Sequence, residues 1–160
     1  MYEAARESEL QVYPWLPWCH PGYSLAEAEN WAAFQALAFG QGREYEFVIT
    51  DGTGRFLGGC GLNHINVADR CANLGYWVRT QETGREVALK AVRRVVEFAF
   101  TRTNLERLEI VCAVENRASR RVAEKSGAVR EGVARGRIFL HGQVLDAVVY
   151  SILRSDVAAV

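Results

Sequence analysis

The chain has 160 residues, 49% of them hydrophobic, and a formal net charge of zero. That length buries roughly 70% of the unfolded surface around one core, so a single domain over residues 1–160 is expected. Zero net charge argues against a nucleic-acid protein working by broad phosphate neutralisation, and no apolar run approaches the ~20 residues that cross a bilayer. Four separated cysteines and three scattered histidines argue against a zinc site, so metal ligands are not expected. Reduced thiols and an acidic start without a secretory apolar region point to the cytoplasm.

The segment 2–10 fits a short helix. Pro14 and Pro17 then force an extended loop that carries Trp15 and Trp18. Ser24 and Glu27 form a capping box that opens a helix running to about Phe39, where Gly40 and Gly42 end it. Strands at 45–50 and 55–62 flank the turn Asp51-Gly52-Thr53-Gly54, and a third strand covers 72–78. Ala88, Val92, Val95, Val96 and Ala99 recur at helical spacing, so a helix is predicted over 84–102 with one face on the sheet. A strand follows at 108–114, then a short helix capped by Asn116 and closed by Gly127. A final hairpin turns at His141 and Gly142.

The stretch from Tyr76 to Ala88 is the most telling. A strand stops in a polar loop, and a long helix follows at once. The unpaired N–H groups and positive dipole end of such a helix form a seat for a phosphate or diphosphate.

Four stretches in register carry a family resemblance: Gly75-Tyr76-Trp77-Val78, the loop from Thr83 to Ala88, Asn116 and Ser119 followed by Ala123-Glu124-Lys125-Ser126-Gly127, and the closing strand from Asp146 to Leu153. With them the chain resembles the GNAT acyltransferases, and among these the ribosomal-protein (Rim-type) N-acetyltransferases. The resemblance implies an α+β fold, with a mixed, mostly antiparallel sheet splayed at its centre and helices on both faces. It implies acetyl-CoA as co-substrate, its pantetheine arm pairing with the backbone near Val78 and Arg79. The diphosphate would rest on the N–H groups of Thr83, Gly84, Arg85, Glu86, Val87 and Ala88. Asn116 would stand beside the pantetheine, and Ser119 near the thioester sulfur, where it can protonate the departing thiolate. The acceptor implied is a primary amine, on a small molecule or a protein N-terminus, attacked directly with no acyl-enzyme. Trp15 and Trp18 are the candidate acceptor-pocket residues.

The general base is open. Relatives often carry a Glu just before the Gly-Tyr-Trp run, where Asn73-Leu74 stands here and neither side chain takes a proton near neutral pH; Asp146 and His64 are the remaining candidates, with water as the other. Cys112 reads as a packed thiol rather than a nucleophile. Two departures from the pattern stand out. The family favours Gly at the position of Glu86, whose carboxylate would repel phosphates unless Arg79 or Arg85 offsets it. The usual first strand also has no counterpart: either the recorded start is too late, or the sheet is one strand shorter, which would leave an edge open to pairing in a homodimer. These departures motivate an alternative reading, a catalytically impaired ligand-sensing or interaction module on the same fold. A phosphate or nucleotide binder sharing only the strand–loop–helix corner is the third.

Overall fold

The computed structural model describes residues 1–157. Two helices lead, α1 (Tyr2–Val12) and α2 (Leu25–Gly40), and the Ser24 capping box opens the second as expected. Strands β1 (Tyr45–Thr50), β2 (Phe56–Asn66) and β3 (Cys71–Val78) form an antiparallel meander. A single 3-10 turn (Thr80–Glu82) leads to α3 (Val87–Arg102), β4 (Arg107–Ala113) and α4 (Arg117–Lys125). The hairpin of β5 (Val129–Leu140) and β6 (Gln143–Leu153) and a one-turn α5 (Arg154–Val157) complete the described chain.

Local chemistry explains the corners. Between β1 and β2, the Asp51 carboxylate accepts from the N–H groups of Thr53 (2.8 Å) and Arg55 (3.1 Å), a side-chain turn that aligns the hairpin. At the β5–β6 corner His141 and Gly142 have φ of 51° and 76°, the positive pair that a tight hairpin turn matched to strand twist requires.

The six strands order as β1-β2-β3-β4-β6-β5, and only β3 and β4 run parallel. The α+β class and the mixed, mostly antiparallel sheet are as the sequence implies. On one face α3 lays Val92, Val96 and Ala99 against Leu62, Leu74, Leu108, Ile110 and Tyr150. On the other, a smaller cluster of Ala5, Val12, Cys19, Tyr23 and Ala28 packs with Trp18 and Trp77. The two neighbours Tyr76 and Trp77 therefore serve opposite faces, as strand alternation demands.

Three boundaries differ from expectation. β5 begins at Val129 rather than 137, because two register shifts, near Gly132 and across 134–138, break the alternation that would mark it. β2 runs on to Asn66 through a shift after Asn63. The long helix starts at Val87, three residues late, because Gly84 (φ 76°) and Glu86 (φ 60°) are left-handed and cannot continue a right-handed helix.

Candidate functional site

β3 and β4 are joined at only three residue pairs, Cys71 with Arg107, Ala72 with Leu108 and Asn73 with Glu109. Beyond Asn73 the two strands part, and the gap opens into a cleft of about 510 Å³. The backbone facing it follows from register. The Arg79 N–H donates to Leu57 O (2.7 Å) toward β2, so the alternate residues Leu74, Tyr76 and Val78 turn their N–H and C=O groups toward the gap. On the opposite wall the Val114 N–H donates to Asp146 O toward β6, which by the same alternation leaves Val111 and Ala113 facing the gap. An extended polar chain inserted here finds strand-like partners on both sides.

At the mouth of the gap stands the start of α3. Lys90 is the first helix residue whose N–H reaches back, to Glu86 O (2.9 Å), so the N–H groups of Val87, Ala88 and Leu89 have no partner within the helix. Val87, Ala88 and Gly84 line the cleft. The donor set is thus narrower than the sequence implies. Thr83 has its N–H on Thr80 O (3.2 Å) and its hydroxyl on the same oxygen (2.7 Å), closing the 3-10 turn.

Glu86 lies at the N-cap in a left-handed conformation without a capping bond. Such a backbone costs a residue with a Cβ roughly 1 kcal/mol and a glycine little, which is the physical reason a glycine suits this position. The cations expected to offset its charge are elsewhere, and this corrects the sequence reading. The buried Arg79 guanidinium is held by Glu7 (3.0 Å) and Phe56 O (3.2 Å), and Arg85 pairs with Glu82 (3.3 Å). Instead Lys125 comes within 3.8 Å of Glu86, and it lines the cleft together with Arg121, one turn earlier on α4.

Inside the gap Tyr76, Cys112 and Ser119 meet. The Ser119 Oγ is 3.0 Å from the Tyr76 hydroxyl and 3.0 Å from the Cys112 Sγ, and the Tyr76 hydroxyl donates to Ser119 O (2.8 Å). Asn116 fixes Ser119 in turn, its Oδ1 accepting the Ser119 N–H (3.1 Å) as the cap of α4. Burial pushes the Tyr76 phenol far above its usual range and also raises the Cys112 thiol, against the opposing bond from Ser119. Both stay protonated near neutral pH. Cys112 is therefore a donor or packing group, as expected, and the cluster can supply protons but not a thiolate nucleophile.

Of the other predicted residues, Trp15 lines the cleft beside Leu16. Trp18 does not: it packs edge-on against Trp77 (5.1 Å) and Tyr23 (5.6 Å) and borders a separate 210 Å³ hollow with His20 and Trp31. Asp146 is exposed, and its carboxylate accepts the Gly136 N–H (2.8 Å), pinning the irregular stretch of β5. His64 is exposed in the β2 irregularity. Neither candidate base reaches the cleft. Sequence reasoning missed Tyr76, Arg121 and Lys125. The strand alternation placing Tyr76 opposite Trp77, and the four-residue spacing of the two cations, were the available signals.

A family model described as "Acetyltransferase (GNAT) domain" matches residues 1–129. Two Bacillus subtilis (strain 168) proteins are similar. The one named "Putative ribosomal N-acetyltransferase YdaF" is 33% identical over 64% of this chain and 56% of its own length. "Probable N-acetyltransferase YjcK" is 35% identical over 71% of this chain and 64% of its own. The chain therefore spans less than two thirds of either relative. A crystal structure described as a probable acetyltransferase superposes with a TM-score of 0.87 at 26% identity, over 97% of this chain and 86% of that one. The cleft, the helix start that faces it and the residue match agree: the chain belongs to the GNAT acetyltransferase domain family.

Proposed function

We propose that the chain, read over 1–160 as one acyltransferase domain, is an N-acetyltransferase that moves acetyl from acetyl-CoA to a primary amine. The observation that carries this reading is the gap between β3 and β4, with a phosphate-seating helix start at its mouth and the Tyr76–Ser119–Cys112 cluster within it. At about 3.4 Å per residue, the wall from Val78 to Asn73 runs roughly 17 Å, a length suited to a pantetheine arm. The co-substrate supplies a thioester. The N–H groups of Val87, Ala88 and Leu89, with Arg121 and Lys125, hold its diphosphate. The gap-facing groups of Tyr76, Val78, Val111 and Ala113 hold the arm, and Asn116 stands beside it.

Catalysis then rests on placement and charge. A gap-facing N–H, from Tyr76 or Val78, stabilises the oxyanion as the amine attacks. The Ser119 hydroxyl accepts from the Cys112 thiol and, with the Tyr76 proton on Ser119 O, donates to the Tyr76 oxygen; on reaction it turns that proton from Tyr76 to the departing sulfur. With Asp146 and His64 outside the cleft, the amine proton leaves to water. Trp15 forms the acceptor side of the pocket, and Trp18 supports it through Trp77. The acceptor class is a small-molecule amine or a protein N-terminus; the name of YdaF favours a ribosomal acceptor. A homodimer is part of the same reading, since the outer edge of β1 has no partner strand among the described residues and exposes Val48. Four free cysteines suit a reducing compartment such as the cytoplasm.

The test is thiol release from acetyl-CoA with a panel of small amines and then of peptide N-termini. Acceptor-dependent release supports the reading. Calorimetry that finds no CoA binding at high protein concentration defeats it. Glu86 at the diphosphate seat favours the second reading, an impaired ligand-sensing or interaction module, and CoA binding without transfer to any amine would select it.

A further inference from the structure

Three polar side chains on the Trp77 face of the sheet play no part in the mechanism above. They form one hydrogen-bonded ladder across three strands. Asn73 Nδ2 on β3 donates to Asn63 Oδ1 on β2 (2.9 Å), and Asn63 Nδ2 donates to Glu46 Oε1 on β1 (3.2 Å). The strands are built to admit the carboxyl. Gly61 opposes Glu46 in register, and a Cβ there would stand 2.3 Å from Glu46 Oε2.

The direction of the ladder is set at its far end. An ionised carboxylate only accepts, so Asn63 must offer its amide N–H to Glu46 and its oxygen to Asn73. Asn73 then spends an N–H on Asn63 and keeps its own carbonyl oxygen. That residue sits at the fork where β3 and β4 part, and it lines the cleft. A protonated Glu46 can instead donate its O–H to Asn63. Both amides then rotate, and Asn73 turns an NH2 toward the cleft.

We propose that Glu46 and Asn63 are positioning residues that fix which atom of Asn73 meets the acceptor amine, the carbonyl oxygen being the productive one. The inference rests on the acetyl-transfer reading and deepens it. A neutral amine must donate an N–H to be held while its lone pair aims at the thioester carbon, and Asn73 Oδ1 is an acceptor suited to that task. An NH2 at the same place would compete for the lone pair. Because burial lifts the Glu46 pKa to about 7, with the Asn63 bond opposing and Glu44 adding to the rise, the ladder reverses within the physiological range. The titratable groups near Glu46 do not undo this. Glu44 is held by Gln35 of α2 (2.8 Å), and the Cys60 thiol, on the opposite face of β2, is kept protonated by burial.

The experiment compares wild type with Glu46→Gln, which retains an acceptor for Asn63 but does not titrate. The ratio of variant to wild-type kcat/KM cancels the titration of the amine itself. With a pKa of about 7, that ratio should be near 1 at pH 8 and rise to about 10 at pH 6. In 15N-labelled protein the side-chain amide resonances of Asn63 and Asn73 should titrate together in wild type and stay still in Glu46→Gln. Transfer with a flat ratio and static amides refutes the ladder alone. Titrating amides in a protein that acetylates no amine refute the catalytic use of the ladder together with the reading beneath it.

Discussion

Replacing Glu86 by glycine isolates the feature of the cleft that fits its proposed ligand worst. Two effects should separate. The left-handed backbone at Glu86 (φ 60°) is relieved, so Glu86→Gly should stabilise the fold by about 1 kcal/mol, a rise of roughly 2–4 °C in melting temperature at this size. The second effect is electrostatic. Glu86 is 56% exposed, so its repulsion acts through water-like screening. At about 7 Å and a dielectric near 80, each unit charge of a diphosphate contributes about 0.6 kcal/mol, and two give about 1.2 kcal/mol. That corresponds to CoA binding about 7-fold tighter, and the gain should shrink as salt rises. Glu86→Gln distinguishes the two effects, because it removes the charge and keeps the Cβ. It should tighten CoA binding by a similar factor without the thermal gain. Calorimetry and thermal melts of the three proteins at low and high salt suffice. If neither variant binds CoA more tightly at low salt, the diphosphate does not rest where we place it.

Ser119→Ala should lower kcat about 100-fold while leaving CoA affinity within a factor of two, as a lost proton donor does; equal loss in both would show a binding role instead. Tyr76→Phe removes both buried hydrogen bonds that the phenol makes with Ser119 and should cost about 2 kcal/mol in denaturant unfolding, with a smaller loss of kcat than Ser119→Ala. Gly61→Ala should destabilise by about 1–3 kcal/mol, because its Cβ would meet Tyr45 O at 2.6 Å as well as the Glu46 carboxyl. Glu131 is held down to about 2 by two short bonds from Arg107, and a depressed carboxyl stabilises above its unfolded pKa and loses that contribution as pH falls. The melting-temperature deficit of Arg107→Ala, from a pair worth about 1 kcal/mol at most, should therefore hold above pH 5 and narrow from pH 4 toward 2.

The elements legible in the sequence were those with an unbroken period or a local punctuation signal. The α3 stripe, the Ser24 cap and the Asp51 turn are read within a few residues, and each forms as read. β5 was half hidden, because Gly132 and Gly136 sit at its shifts and charged residues interrupt its alternation. The cleft was legible as a strand followed by a helix start, but its donors were not. The Thr83 N–H is taken by the 3-10 turn at Thr80–Glu82, and the freedom of the Val87 N–H depends on φ at Gly84 and Glu86; no periodicity reports either. Arg79 and Arg85 stood close to Glu86 in sequence, yet their partners Glu7 and Glu82 were fixed by packing of α1 and by the 3-10 turn. Glu46 lay furthest from view. Its link to Asn73 crosses two strands and exists only in the register that sets Gly61 beside it.

The most direct measurement is a titration of 15N-labelled protein with coenzyme A, followed at the backbone amides. The account predicts saturable shifts at Val87, Ala88 and Leu89 together with Tyr76 and Val78, while Thr83, already bonded to Thr80, responds least. Binding that leaves the opening amides of α3 unmoved, or that perturbs the hollow beside Trp18 instead, would contradict it.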